Sequence, residues 1–359
     1  MKETTFNRFI KQIELAGRRF IIAILNRKKR ETITSFPLPL PENPTILFLR
    51  QDRYGDAIIS TPIIAAIAKR YPQARLSILL GENNKDIGDL LPFRCETYVY
   101  RKQLRNDIKM LRSLRKRKID VLIDMTDNPS ATSSIITAMV GARDASGIDK
   151  ENAESYNVLV ERLDRGTFHI SRRVAELLRP FGIDPSDIDL RPTLIGAAAK
   201  VPGRIALNIS GKPTRYLRPE VNAALAKLLA SDDSCNEVLV FSTPSDAADA
   251  GKIVALASDD KVKVAPLTKS FAEFARAIAT CEYIVTPDTS VVHLGSAFNT
   301  PMVVWYDMAP PTLHHWTPIG VPYEMLVKAP TISLTAEEIF ASFQLLIRKL
   351  QPVGEEVTA

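Results

Sequence analysis

Cysteine is scarce in this 359-residue chain, and the three present, Cys95, Cys235 and Cys281, are widely spaced with no CxxC pair. That excludes a disulfide framework and a thiolate zinc site, and it fits a reducing compartment. Histidine is nearly as rare: His169, His293, His314 and His315 show no HxxxH spacing and no DxD motif accompanies them, so no catalytic metal is expected. No GxGxxG follows any strand-like run and no Walker A sequence occurs, which removes the dinucleotide and P-loop fingerprints. Long apolar runs are missing as well. Phe20 to Leu25 falls far short of the roughly 20 residues a bilayer-spanning helix needs, and no later stretch does better.

What is present is a globular composition, 45% apolar and 25% charged, long enough for about two domains and neither disordered nor collagen-like. The net charge of +6 is unevenly placed. Residues 1–30 hold nine Lys or Arg against Glu3 and Glu14, whereas residues 31–359 hold 38 basic and 39 acidic groups. Phe6, Phe9, Ile10, Ile13, Phe20, Ile21 and Ile24 recur at helical spacing in that arm, with Lys11, Arg18, Arg19 and the run Arg27 to Arg30 around them. A signal peptide would continue into a small-residue cleavage site, and Asn26 to Arg30 is the opposite. The arm therefore reads as an amphipathic helix on an anionic membrane surface of a cytoplasmic protein; the plainer alternative is a solvated or self-packed helix.

Residues 1–43 comprise this arm and a connector, with four prolines between Ser35 and Pro44. Residues 44–190 read as β-α-β: strand Thr45 to Arg50, a helix from about Ala57 to Arg70, strand Leu76 to Leu80, a helix from about Leu104 to Lys118 and strand Val121 to Asp124. The Pro- and Asp-containing stretch Asp184 to Pro202 serves as linker. Residues 191–335 restart the pattern, with strands at Arg204 to Asn208, Val238 to Phe241, Tyr283 to Thr286 and Met302 to Trp305. Pro219 is placed in the first turn of a helix reaching about Ala230, and Ser270 with Glu273 reads as a capping box. Residues 336–359 are a last helix and tail. The fold class is α/β, two Rossmann-like halves after an amphipathic arm.

In open α/β sheets ligands bind beyond the carboxyl ends of the strands, so two strand-to-helix loops matter. The first is RQDRYGD at 50–56, in which Gly55 permits a tight turn and Asp56 falls at a helix N-terminus. Asp56 is there either to cap the helix or to take a proton from an acceptor hydroxyl. The second is TPDTSVVHL at 286–294, whose small hydroxyl residues and free N–H groups suit a phosphate without a metal. His293 sits one turn inside the helix, facing a ligand or the core.

Together, RQDRYGDAIISTP and PDTSVVHLGSAFNTP resemble glycosyltransferase family 9, the group that includes the ADP-heptose:lipopolysaccharide heptosyltransferases. The likeness extends over about residues 44–350, through NISGKPTRYLRPE at 208–220 and HHWTPIG at 314–320. It implies a GT-B fold, two Rossmann-like domains facing a central cleft, with acceptor on the first and nucleotide-sugar donor on the second. It also implies inverting, metal-independent transfer of a sugar such as heptose from ADP-heptose to a lipopolysaccharide-core or related glycan, with no cofactor. By that match Asp56 is the general base, with Arg53 and Gly55 on the acceptor side. Asp288, Thr289, Ser290, Val291 and His293 form the donor-diphosphate loop. A cation for the departing diphosphate is either Lys212 or Arg215. Ser242, Thr243 and Asp246 are candidates for the nucleoside, and a turn with a helix cap explains them equally well. A non-catalytic sugar-nucleotide binder and a sugar-nucleotide epimerase or hydrolase are the competing readings.

Arg101 to Lys118 carries nine basic residues against Asp107, with Leu104, Ile108, Leu111 and Leu114 on an apolar face. Such a run is either a solvated face or an attractor for an anionic acceptor or membrane; without aromatic interleaving, nucleic acid is not an expected partner.

Overall fold

The computed structural model describes residues 31–307, 315–328 and 333–351; the basic arm, His314 and the tail beyond 351 lie outside them. The chain divides into two compact units, the first reaching Asp164 and including Ile170–Leu190, the second made of Arg165–His169 and the chain from Arg191 onward. Among the described residues no helix is long and apolar enough to cross a membrane.

The first unit is a six-stranded sheet of β1 (Thr45–Arg50), β2 (Arg75–Gly81), β3 (Glu96–Tyr100), β4 (Val121–Asp124), β5 (Asp144–Ile148) and β6 (Val158–Val160). All pairings are parallel and the order is β3-β2-β1-β4-β5-β6. β1 is buried along its whole length, as a near-continuous apolar run must be when helices cover both faces. Leu47, Leu49, Leu79 and Leu122 pack with Leu111 and Leu114 of the helix Leu104–Lys116 and with Ile136 and Val140 of the helix Ala131–Val140.

Several local expectations change. The helix expected from Ala57 to Arg70 is two helices, Tyr54–Ile59 and Thr61–Arg70, because Pro62 has no N–H for the Ile58 carbonyl. Thr61 Oγ1 donates to that carbonyl instead, at 2.8 Å. Leu104 does not join the apolar face of its helix; it is 78% exposed. The proline-rich stretch runs along the first unit, with Leu38 buried and the Ile33 and Leu38 N–H groups donating to Asn157 and Pro180 carbonyls, each at 2.8 Å.

The second unit repeats the wiring with β7 (Val201–Asn208), β8 (Glu237–Phe241), β9 (Val262–Val264), β10 (Cys281–Pro287), β11 (Met302–Tyr306) and β12 (Tyr323–Val327). Its order is β12-β11-β10-β7-β8-β9, again all parallel. The helix Pro219–Ala230 has Pro219 in its first turn, as the spacing predicts. The Ser270 box is half formed: Ser270 Oγ accepts from the Glu273 N–H at 3.2 Å, but the Glu273 carboxylate accepts from Lys269, one residue early, at 2.8 Å. A complete box stands at Thr335 and Glu338, opening the last helix, Ala336–Leu350. That helix sends Ile339, Phe343 and Leu346 into the second unit's core beside Leu225, Leu229 and Trp305.

Candidate active site

Each sheet reverses its strand order once, between β1 and β4 in the first unit and between β7 and β10 in the second. A crevice forms at such a reversal, beyond the carboxyl ends of the two strands, because their following connections leave in opposite directions. The loop at 50–56 follows β1 and the loop at 286–294 follows β10, so each borders the reversal of its own sheet.

In the first unit Arg50, 1% exposed, ties that reversal together. Its Nη1 donates to the Met125 carbonyl beyond β4 at 2.6 Å and to Asp52 Oδ2 at 3.1 Å; Nε donates to the Asp56 carbonyl at 2.8 Å, and Nη2 lies 3.5 Å from Asp56 Oδ1. The helix break supports this grip: the Ser60 N–H turns to the Ala57 carbonyl, leaving the Asp56 carbonyl for Arg50 and for Ser60 Oγ. Asp56 is not the cap. Arg53 holds that position with extended backbone, and Asp56 is in the first turn. Gly55 is helical, and the chain bends at Asp52 instead. Asn84 anchors the loop from the side, donating to the Arg50 carbonyl at 2.8 Å.

Asp52 escaped the sequence reading. Burial pushes its carboxyl up to about 6, against the pull of Arg50 and with Asp56 adding to the rise. Asp52 Oδ1 and Gln51 Oε1 are buried without a hydrogen-bond partner among the described residues, an arrangement that marks a place for water or ligand. Beyond β4 and β5 a buried polar cluster holds the facing loop. Lys150 Nζ pairs with Asp124 Oδ2 at 3.0 Å, Tyr156 donates to the same oxygen, and Thr126 Oγ1 donates to Asp124 Oδ1 at 2.8 Å. A polar residue ending a buried strand, as Asp124 does, was the available signal.

In the second unit Thr289 caps the helix Ser290–Ala297, its Oγ1 accepting from the Val291 N–H at 3.3 Å. Asn208 at the end of β7 reaches across the reversal to Thr286 Oγ1 at 3.0 Å and Thr289 Oγ1 at 3.3 Å. Arg215 is buried and engaged at three nitrogens: Nε to Asp307 at 2.7 Å, Nη2 to Asp288 Oδ2 at 2.7 Å, and Nη1 to the Asp288 carbonyl. Lys212 is exposed, and its charge is felt at Asp288, whose carboxyl burial raises to about 6. Arg215 thus braces the loop, while Lys212 is the accessible cation next to it.

His293 faces the core, 3% exposed and packed on Trp316 with ring centroids 5.9 Å apart. Burial drives its imidazole down to about 3, so it is neutral near pH 7. Asp246 accepts from Ser210 Oγ at 2.5 Å and Thr243 Oγ1 at 2.7 Å, while the Thr243 N–H donates to Ser210 at 2.8 Å; Ser242 is half-buried beside them. All three cysteines are free, with thiols raised to about 11 or 12 by burial. Among the described residues no group of three His, Cys, Asp or Glu could hold a metal ion.

The sequence profile of glycosyltransferase family 9 (heptosyltransferase) matches residues 219–335. Lipopolysaccharide heptosyltransferase 3 of Escherichia coli is 22% identical over 276 residues, covering 70% of this chain and 79% of the relative. A glycosyl transferase family 9 structure from Veillonella parvula superposes with a TM-score of 0.73 at 17% identity, covering 88% of this chain and 100% of that one. An Escherichia coli heptosyltransferase solved with ADP gives 0.68 at 17% identity, covering 85% and 98%. Residues 219–335 thus resemble the family 9 glycosyltransferases, and the chain has the fold of those solved structures, GT-B.

Proposed function

We propose that the enzyme transfers heptose from ADP-heptose, with inversion and without a metal, to a hydroxyl of a lipopolysaccharide-core or related surface glycan at the cytoplasmic face of the inner membrane. The observation that carries this reading is the pairing of chemistries at the two reversals: an arginine-held carboxylate in one unit, a capped helix start with an exposed lysine beside it in the other. Inversion is a single displacement. Asp56 takes the hydroxyl proton as the oxygen attacks the anomeric carbon, the bond to the diphosphate oxygen breaks, and its electron pair leaves with ADP. The first N–H groups of Ser290–Ala297 and the Lys212 ammonium meet the charge that develops there. Arg53 and Gly55 border the acceptor, and Ser242, Thr243 and Asp246 the nucleoside. The ADP in the Escherichia coli structure supports the donor, and the lipopolysaccharide relative supports the acceptor class. Residues 1–30 add a basic contact to the anionic membrane.

The test is Asp56→Asn, with ADP release and ADP affinity measured separately. Turnover should fall by about 10²–10⁴-fold with affinity retained. Near-normal turnover removes Asp56 as base, and ADP release without acceptor turns the reading to a hydrolase.

A further inference from the structure

The helix Leu104–Lys116 fastens one face to its sheet through Asp107, Leu111 and Leu114. At 100° per residue the opposite face is Arg105, Lys109, Arg112 and Lys116, all exposed and in one line of roughly 16 Å at 1.5 Å rise per residue. Among the described residues no acid is paired with this line. Asp107, the helix's only acid, is turned inward, accepting from the Arg101 and Gln103 N–H groups at 3.0 and 2.7 Å. Nearby, Arg101 pairs with Glu82 and Arg117 with Glu96, yet among the described residues no ion pair involves the four cations of the stripe. Like charges three and four residues apart weaken a helix, so this line persists against local stability. Leu104, 78% exposed, stands at the end that follows β3, on the sheet edge where the strands' carboxyl ends and the Arg50–Asp56 loop also lie.

We propose that this stripe docks the enzyme on the surface of an anionic phospholipid bilayer, with Leu104 entering the interface. A straight line of cations on one rigid helix suits a plane of negative headgroups, and an exposed leucine beside it suits lipid. A nucleic-acid groove would interleave aromatics among the cations, and this face has none. The inference gives the proposed membrane location a surface, and vesicle binding does not depend on sugar transfer.

The experiment is flotation of the full chain with vesicles of phosphatidylcholine, with and without phosphatidylglycerol. The stripe variant is Arg105→Gln, Lys109→Gln, Arg112→Gln and Lys116→Gln together. A control removes the same charge from the second unit through Lys227→Gln, Lys252→Gln, Lys263→Gln and Lys349→Gln, and circular dichroism verifies folding. Partitioning of the stripe variant onto anionic vesicles should fall at least roughly tenfold, that of the control less than about twofold. Wild-type binding should weaken from about 0.05 to about 0.3 M salt. Lys109→Glu alone serves if the fourfold variant does not fold. The proposal is overturned by a stripe variant that binds like the control, by equal wild-type binding to neutral vesicles, or by stripe-dependent binding to an RNA or DNA duplex in place of vesicles. Loss of sugar transfer with vesicle binding intact would count against the transferase reading alone.

Discussion

Lys212 and Arg215 carry the same charge in different surroundings, the first exposed and the second buried between carboxylates. Arg215 neutralises Asp288 and Asp307 within a mostly buried site, so Arg215→Ala should lower stability by about 3 kcal/mol through the carboxylates it strands. Lys212→Ala should leave the melting temperature near wild type and weaken ADP binding about tenfold, the value of one charged hydrogen bond, by calorimetric titration. Equal effects on stability would contradict this division. The buried histidine gives a pH signature. Its folded value of about 3 lies below the ordinary 6.5, so the unfolded chain binds a proton that the folded chain refuses, and stability is lost as pH falls below about 6.5. By pH 5 the loss should be roughly 2 kcal/mol. Asp52 and Asp288 act in the opposite sense: raised to about 6, they contribute stability at low pH that is lost as pH rises through 6. Water reaches 31% of the Asp52 side chain and screens its part to about 1 kcal/mol. From pH 7 to 5 these gains nearly offset the histidine's loss, so urea melts should show wild-type stability almost level and that of His293→Gln rising by roughly 2 kcal/mol. The motif residues were legible one by one, but the shared guanidinium between Asp52 and Asp56 was not, because it needs a buried side chain folded back over its own loop.

At the level of elements, the legible strands were those with uninterrupted apolar runs, such as β1 and β11. β5 reads Asp-Ala-Ser-Gly-Ile and is nonetheless wholly buried; its position between β4 and β6, with Asp144 paired to Asn157 and Arg143, makes it a strand. β3 and β12 are partly exposed and lack the run as well. Helix ends followed the same division. Pro219 announced a start, whereas Pro62 inside an apolar run concealed a break that only the Thr61 and Arg50 bonds explain. The complete capping box at Thr335 gives a direct check: Thr335→Ala should cost about 1 kcal/mol in a melting experiment and leave ADP affinity unchanged, since the helix it opens braces the core of the second unit.

For the whole molecule, two units with separate cores each carry one of the two candidate loops, so ligand effects should be separable too. Saturating ADP at about a hundred times its dissociation constant should stabilise the second unit by about 2.7 kcal/mol. Hydrogen exchange should slow in β7, β10 and the helix Ser290–Ala297 and stay unchanged in β1 and β4; protection confined to the first unit would reverse the donor assignment. By itself the sequence determined the α/β class, the repeat and the two loops, because apolar periodicity and strand-to-helix punctuation are local properties of the chain. Only the tertiary structure decided that both loops border a strand-order reversal, that Arg215 is spent on carboxylates and that, among the described residues, one face of a basic helix is left without counter-charge. Those facts depend on which distant side chains share a buried space, and no spacing along the chain encodes that.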